Sequence, residues 1–227
     1  MYEQLKTSRL YDLRHTIAAP LLEKTLYPWE ALSGIREFIE AAGQTLLAEE
    51  YDNPRPGVWI HKTAKVAPTA FIGDWVIIGP ETEVRHCAFI RGSAVVGAGA
   101  VVGNSTELKN VILFDRVQVP HYNYVGDSIL GYKSHMGAGS ITSNVKSDKT
   151  LATVSVDGHK VVTGLKKFGA MLGDNVEVGC GSVLNPGTVV GRNTNIYPLS
   201  MVRGYVPEGS IYKKQGEVVE KAEIQTP

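Results

Sequence analysis

Three groups of residues in this sequence are of types that do chemistry. His121 stands in Pro120-His121-Tyr122-Asn123-Tyr124-Val125-Gly126-Asp127, inside the stretch Lys109 to Asn144. An imidazole titrates near neutral pH, so it can take or give a proton as a general base or acid. Arg91 and Lys109 are fixed cations, and a guanidinium offers a two-pronged donor to phosphate oxygens. In Gly137-Ala138-Gly139 small residues let a ligand approach backbone N–H groups, which can face a developing oxyanion. Each feature has an ordinary reading too: an idle surface histidine, two solvated cations and a glycine turn. The weight rests on what brings them together.

The positioning elements show in a period of six. Ile60, Val66, Ile72, Ile78, Val84, Ile90, Val96, Val102, Leu108 and Phe114 are all aliphatic or aromatic at six-residue spacing. A second ladder runs Leu172, Val178, Leu184, Val190, Ile196 and Val202, and small residues such as Ala88, Ala94, Ala100, Ser182, Thr188 and Thr194 stand four positions after the rungs. Six excludes an amphipathic helix and simple strand alternation. It fits a solenoid of triangular coils, with one short strand and one corner per hexad and β-branched side chains stacked in the shaft. Arg91 and Lys109 are eighteen residues apart, one three-hexad coil. They are therefore expected on the same solvent-facing corner about 4.8 Å apart, where two like charges favour an anion.

The ladders are out of phase. Pro120 closes the first and Leu130 and Met136 begin the second, a four-residue slip around 121–129. A longer interruption, 142–171, contains two strand-like runs about Asp157-Gly158, a hairpin-turn dipeptide, and predicts an arm projecting from the prism. Residues 1–55 read as a helical N-terminal cap and linker. Ile35, Phe38, Ile39 and Ala42 share one helix face, Pro28 stands in a first turn, and Asn53-Pro54-Arg55-Pro56-Gly57 is the linker. The segment is expected to cover the open end of the shaft. Residues 56–207 form the β-helix. Residues 208–227 are a C-terminal tail that can turn back at Gly216.

The segments around His121, with Met136-Gly137-Ala138-Gly139-Ser140-Ile141-Thr142-Ser143-Asn144, Ile90-Arg91-Gly92 and Gly103-Asn104-Ser105-Thr106-Glu107-Leu108-Lys109, resemble the hexapeptide-repeat acyltransferases. They are similar to the acetyltransferase domain of bifunctional N-acetylglucosamine-1-phosphate uridyltransferases. Thr163-Gly164-Leu165-Lys166-Lys167-Phe168-Gly169-Ala170 resembles the C-terminal domain of archaeal-type sugar-1-phosphate nucleotidylyltransferases. The likeness runs from about Ile60 to Val206. It implies a mainly β fold, a left-handed parallel β-helix of hexapeptide repeats, and a homotrimer with sites between parallel prisms. It further implies N-acetylation of an amino-sugar phosphate by acetyl-CoA, within the UDP-N-acetylglucosamine pathway. His121 becomes the general base. Arg91, Lys109, Tyr124, Asn144, His135 and Lys149 become substrate-binding residues, and Ala138, Gly139, Cys180 and Pro198 line the acetyl-CoA site. His135 stands where the family has Asn, Thr150 where it has Lys (with Lys149 one short and Lys146, Lys166 and Lys167 nearby), and Pro198 where it has a small residue.

Composition bounds the alternatives. Twenty-three basic and twenty-three acidic residues cancel, which gives no charge case for nucleic acid or an anionic membrane. Only Cys87 and Cys180 occur, without metal or disulfide spacing, and no run of about 18 apolar residues appears; a cytoplasmic protein is expected. About 55 residues precede the repeats, too few for a nucleotide-binding domain, so sugar-nucleotide synthesis by this chain alone is not expected. No metal is expected either. A γ-type carbonic anhydrase would need two of its zinc histidines five residues apart, and none of the six histidines are so spaced. A non-catalytic trimer that binds a sugar nucleotide or regulates a partner is the remaining alternative.

Overall fold

The computed structural model describes residues 2–222. From Val58 onward the chain winds into a parallel β-solenoid with three sides per coil. The first side stacks Lys65–Val66, Glu83–Val84, Val101–Asn104, Gln118–His121, His135–Met136, Glu177–Val178, Asn195–Ile196 and Ser210–Lys214. The second and third sides share strands that bend through a corner: Phe71–Ile78, Phe89–Val96, Glu107–Leu113 and Tyr124–Leu130. Neighbouring coils pair rung to rung, as in Val66 with Val84, Val84 with Val102, and Ile72 with Ile90. The period of six is therefore the perimeter of a triangle divided by three.

The phase change has a different origin from a slip after His121. Leu108 is followed by Leu113 as the next rung, and Val125 by Leu130, because Val96 pairs with Leu113 and Leu113 with Leu130. Each of these hexads has lost one residue. Two losses shift a six-residue period as a four-residue slip does. Phe114 is thus one residue past the rail, although it is buried and packs on Tyr11 with ring centroids 5.0 Å apart. Both shortenings fall at one corner, between the second and third sides.

The N-terminal segment does not close the end of the shaft. It lies along the third side. Leu10 O accepts the N–H of Asp174, Tyr11 Oη donates to Ile129 O, and His15 O accepts the N–H of Asp115. Farther up, Arg36 stacks over Trp75 and the end of the helix Ile35–Gly43 meets Trp59. The reason is apolar: Ile77, Val95, Ile112, Ile129, Met171 and Val189 alternate outward between inward rungs, and all are fully buried. The expected linker is also a strand, since Tyr51–Arg55 pairs antiparallel with Val58–His61. The arm is a hairpin of Thr153–Val156 and His159–Val162 turning at Asp157-Gly158, both at positive φ. It does not project. Ala152, Val154 and Val156 are buried, Phe168 packs on Trp29, and Gln4 donates to Asp157. The tail pairs Ser210–Lys214 with Glu217–Glu220; residues 223–227 of the expected tail, and Met1 of the expected cap, lie outside the described residues. No described helix is long and apolar enough to cross a membrane.

Asp174 holds the N-terminal segment to the solenoid. Its carboxylate accepts the N–H groups of Asp12 at 2.7 Å and Tyr132 at 2.9 Å, beside the Arg192 guanidinium at 3.4 Å. Burial raises its pKa above the usual carboxylate value, outweighing those donors. The native state therefore binds this proton more tightly than the unfolded chain does, a stabilisation that is complete below the unfolded pKa and lost as pH rises through the raised one. The destabilisation caused by Asp174→Asn should accordingly be largest in acid and shrink with rising pH. Denaturant melts across that range measure it; a penalty that grows with pH contradicts the assignment.

Candidate active site

Two edges of the second side carry most of the residues singled out from the sequence. On the edge shared with the first side, a ladder of backbone hydrogen bonds climbs from corner to corner. Tyr122 N donates to Asn104 O, Gly139 N to His121 O, Gly181 N to Ala138 O, and Leu199 N to Cys180 O. His121, Ala138, Gly139, Cys180 and Pro198 thus stand in one exposed column. The Gly137 and Gly139 N–H groups are consumed by the ladder, at 2.7 Å to Val178 O and 3.0 Å to His121 O. They cannot serve an oxyanion. Among the described residues, the Ala138 and Cys180 N–H groups have no partner, so within Gly137-Ala138-Gly139 only the Ala138 N–H is left unbonded.

Asn123 had no assigned role from its sequence, yet it sets the backbone at His121. It is buried, its Oδ1 accepts the His121 N–H at 3.1 Å, and its Nδ2 donates to Gly137 O at 2.9 Å and Ser140 O at 3.0 Å. The His121 ring is left exposed at the corner.

The opposite edge, shared with the third side, gathers Arg91, Lys109, Tyr124 and Asn144. The two cations do not stack as bare charges. A bulge pairs Lys109 with Gly92 instead of Arg91, and each cation already has a carboxylate. Arg91 Nη1 meets Glu107 Oε1 at 2.9 Å, and Lys109 Nζ meets both oxygens of Asp127 at 3.0 Å. Glu107 raises the pKa of the guanidinium it pairs with. Asp127 is almost fully buried; it also accepts from Asn110 Nδ2 at 3.0 Å and Asn144 Nδ2 at 2.5 Å, and Asn144 Nδ2 donates to Tyr124 Oη at 3.2 Å. Burial pushes the Tyr124 hydroxyl pKa up, and Asp127 and Glu107 add to the effect, so it stays a neutral phenol.

Glu107, Asn110 and Asp127 were not picked out from the sequence. A signal was present: Asn110 and Asp127 are the left-handed residues of the two shortened hexads, a conformation that Asx side chains tolerate. The remaining expectations lie elsewhere. His135 is on the first side, bonded through Nδ1 to Glu177 at 2.9 Å, and Lys149 is exposed in the turn at the start of the arm. Lys146 bonds Thr150 and Asp148, while Lys166 and Lys167 are exposed. Among the described residues no three His, Cys, Asp or Glu side chains gather as a metal site.

No family model matches the chain. Similarity to individual proteins is clear. The chain is 31 % identical over 198 residues to the bifunctional protein GlmU of Methanococcus maripaludis, covering 86 % of this chain and 48 % of that protein. It is 29 % identical over 126 residues to a bifunctional sugar-1-phosphate nucleotidylyltransferase/acetyltransferase of Sulfurisphaera tokodaii, covering 56 % and 31 %. It spans about a third to a half of the curated relatives it matches. Among solved structures it resembles a hexapeptide transferase family protein from Anaplasma phagocytophilum, with TM-score 0.50, 17 % identity, and coverage of 74 % of this chain and 81 % of that one. At that identity the likeness shows the fold.

Proposed function

We propose that this chain, whose fold and sequence fit a GlmU-like acetyltransferase domain, N-acetylates an amino-sugar phosphate such as glucosamine-1-phosphate with acetyl-CoA as co-substrate. The observation that carries the reading is the column under His121: an exposed histidine whose corner stacks in one backbone ladder with those of Ala138 and Cys180, whose N–H groups have no partner among the described residues. In the reaction the neutral amine forms the new N–C bond. The His121 imidazole accepts the amine proton, the C–S bond breaks, and that proton goes to the leaving sulfur. The Ala138 and Cys180 N–H groups face the oxygen on which charge develops. Tyr124, Asn144 and Arg91 border the same side and orient the sugar phosphate.

A homotrimer belongs to this reading. The third side is sealed by the chain's own N-terminal segment, whereas Phe71, Phe89, Tyr122, Tyr197, Leu199 and Met201 are exposed along the second side and the His121 edge. Exposed apolar area of this kind marks a contact surface. A neighbouring first side docked there brings His135 toward the site. The place in the UDP-N-acetylglucosamine pathway and a cytoplasmic location follow from the same reading.

One observation favours a binding-only trimer. The pairs Arg91–Glu107 and Lys109–Asp127 leave neither of these two cations unpaired for phosphate. Turnover separates the two readings. Purified protein mixed with acetyl-CoA and glucosamine-1-phosphate should release free thiol, and should release none when glucose-1-phosphate supplies a hydroxyl in place of the amine. Binding of the amino sugar without thiol release would leave the binding-only reading standing.

A further inference from the structure

We propose that Asp127 is the positioning residue of this site: it fixes Lys109, Asn144 and both ends of the arm, and against the native Asn144 amide only two acceptor oxygens at this position can do so. The inference deepens the acetyltransferase reading and depends on it only for its kinetic consequence. Oδ1 accepts from Lys109 Nζ and Asn110 Nδ2, and Oδ2 accepts from Lys109 Nζ and Asn144 Nδ2. Every group that faces the carboxylate is a donor. An amide at this position would set its own N–H2 against one of them in either orientation. Deep burial raises the cost of such a mismatch, because water cannot step in.

The backbone of the same residue completes the clamp. The chain leaves the coil at Asn144 and returns at Gly169. The Asn144 side chain is held by the Asp127 carboxylate, and the Gly169 N–H donates to the Asp127 carbonyl at 2.8 Å. Phe168 N donates to Asn144 O at 3.0 Å, which ties the two ends to each other. With its Nδ2 committed to Asp127 and Tyr124 Oη, Asn144 presents its carbonyl Oδ1 outward as an acceptor. Asp127 thereby sets both the polarity that the edge offers a sugar and the seat of an arm carrying Lys146, Lys149 and Lys160.

Amide hydrogen exchange tests this on the full chain, with the wild type, Asp127→Asn and the swap Asp127→Asn/Asn144→Asp. Asp127→Asn should speed exchange at Phe168 and Gly169 by about tenfold or more, with circular dichroism and oligomeric mass unchanged. The Michaelis constant for the amino-sugar phosphate should rise by about tenfold, while that for acetyl-CoA stays put. In the swap, the new amide donates to the new carboxylate and still accepts from Lys109 and Asn110. Arm protection should return to within about threefold of wild type, whereas the Michaelis constant for the anionic sugar should stay high, since a carboxylate now faces it. Unchanged exchange in Asp127→Asn overturns the proposal. Should Asp127→Asn fail to fold, the swap decides: folded and protected supports the clamp, unfolded or unprotected overturns it. A wild type without turnover, combined with the predicted exchange pattern, removes the acetyltransferase reading and leaves the clamp intact.

Discussion

Replacing His121 with alanine should lower turnover by a factor of about 10² to 10⁴, the usual contribution of a positioned general base. The backbone gives no reason for the fold to suffer. The His121 N–H is bonded to Asn123 Oδ1 and its carbonyl to the Gly139 N–H, and alanine retains both bonds. The imidazole is exposed and closes no core packing. Steady-state kinetics with acetyl-CoA and glucosamine-1-phosphate, alongside circular dichroism, read the result. A loss confined to turnover, with the Michaelis constants within a fewfold of wild type, is the expected pattern. Undiminished turnover in the folded variant would remove His121 from the mechanism and leave its column as mere coil geometry.

Gly103→Ala should have the largest effect on stability, about 4 kcal/mol or more. A Cβ on Gly103 would overlap the Pro120 carbonyl of the next coil, a backbone group that cannot rotate away. The coils would have to part where Asn104 pairs with His121, so the loss would reach the His121 edge. Gly139→Ala is the contrast: a Cβ there meets open space, and only the positive φ opposes it, at about 1 kcal/mol. Urea melts of the two variants should therefore differ by several kcal/mol. Equal penalties would mean that the coil spacing is looser than the stacked geometry requires.

Much of this architecture was legible because a solenoid repeats its core. Inward positions such as Val84, Ile90 and Val102 answer to one spacing rule, and the rule fails only where the backbone changes. The hexad loss at Lys109-Asn110 and again at Gly126-Asp127 was readable only as a net shift of phase. A deletion of two residues and an insertion of four are equivalent when six is the period. The helix at Ile35–Gly43 was visible from its apolar face, but not where that face goes, because periodicity says nothing of the outward row Ile77, Val95 and Ile112 that it covers. That row alternates with the inward one and is just as apolar, which was the available hint.

The site was legible unevenly for a related reason. His121, Ala138, Gly139, Cys180 and Pro198 fall into one column because corners recur with the coil. Arg91 and Lys109 were expected to stack on one corner; a bulge sets Lys109 against Gly92 instead, and the carboxylates that pair with both cations were not foreseen. Glu107 lies on the strand that runs beneath Arg91, and Asp127 lies one coil from Lys109. Pairings across coils depend on side-chain direction, which spacing along the chain does not specify. The arm was expected to stand clear of the prism. Instead Val154, Val156 and Phe168 bury it against the coils and Trp29, an outcome that its apolar alternation already favoured.

Transfer of the acetyl group to nitrogen is best followed atom by atom. With ¹³C in the thioester carbonyl and ¹⁵N in the amino-sugar phosphate, NMR of the reaction should reveal a one-bond carbon–nitrogen coupling that grows in step with free thiol. Label that stays in the thioester, passes to free acetate, or appears as an uncoupled ester would contradict N-acetylation by this chain.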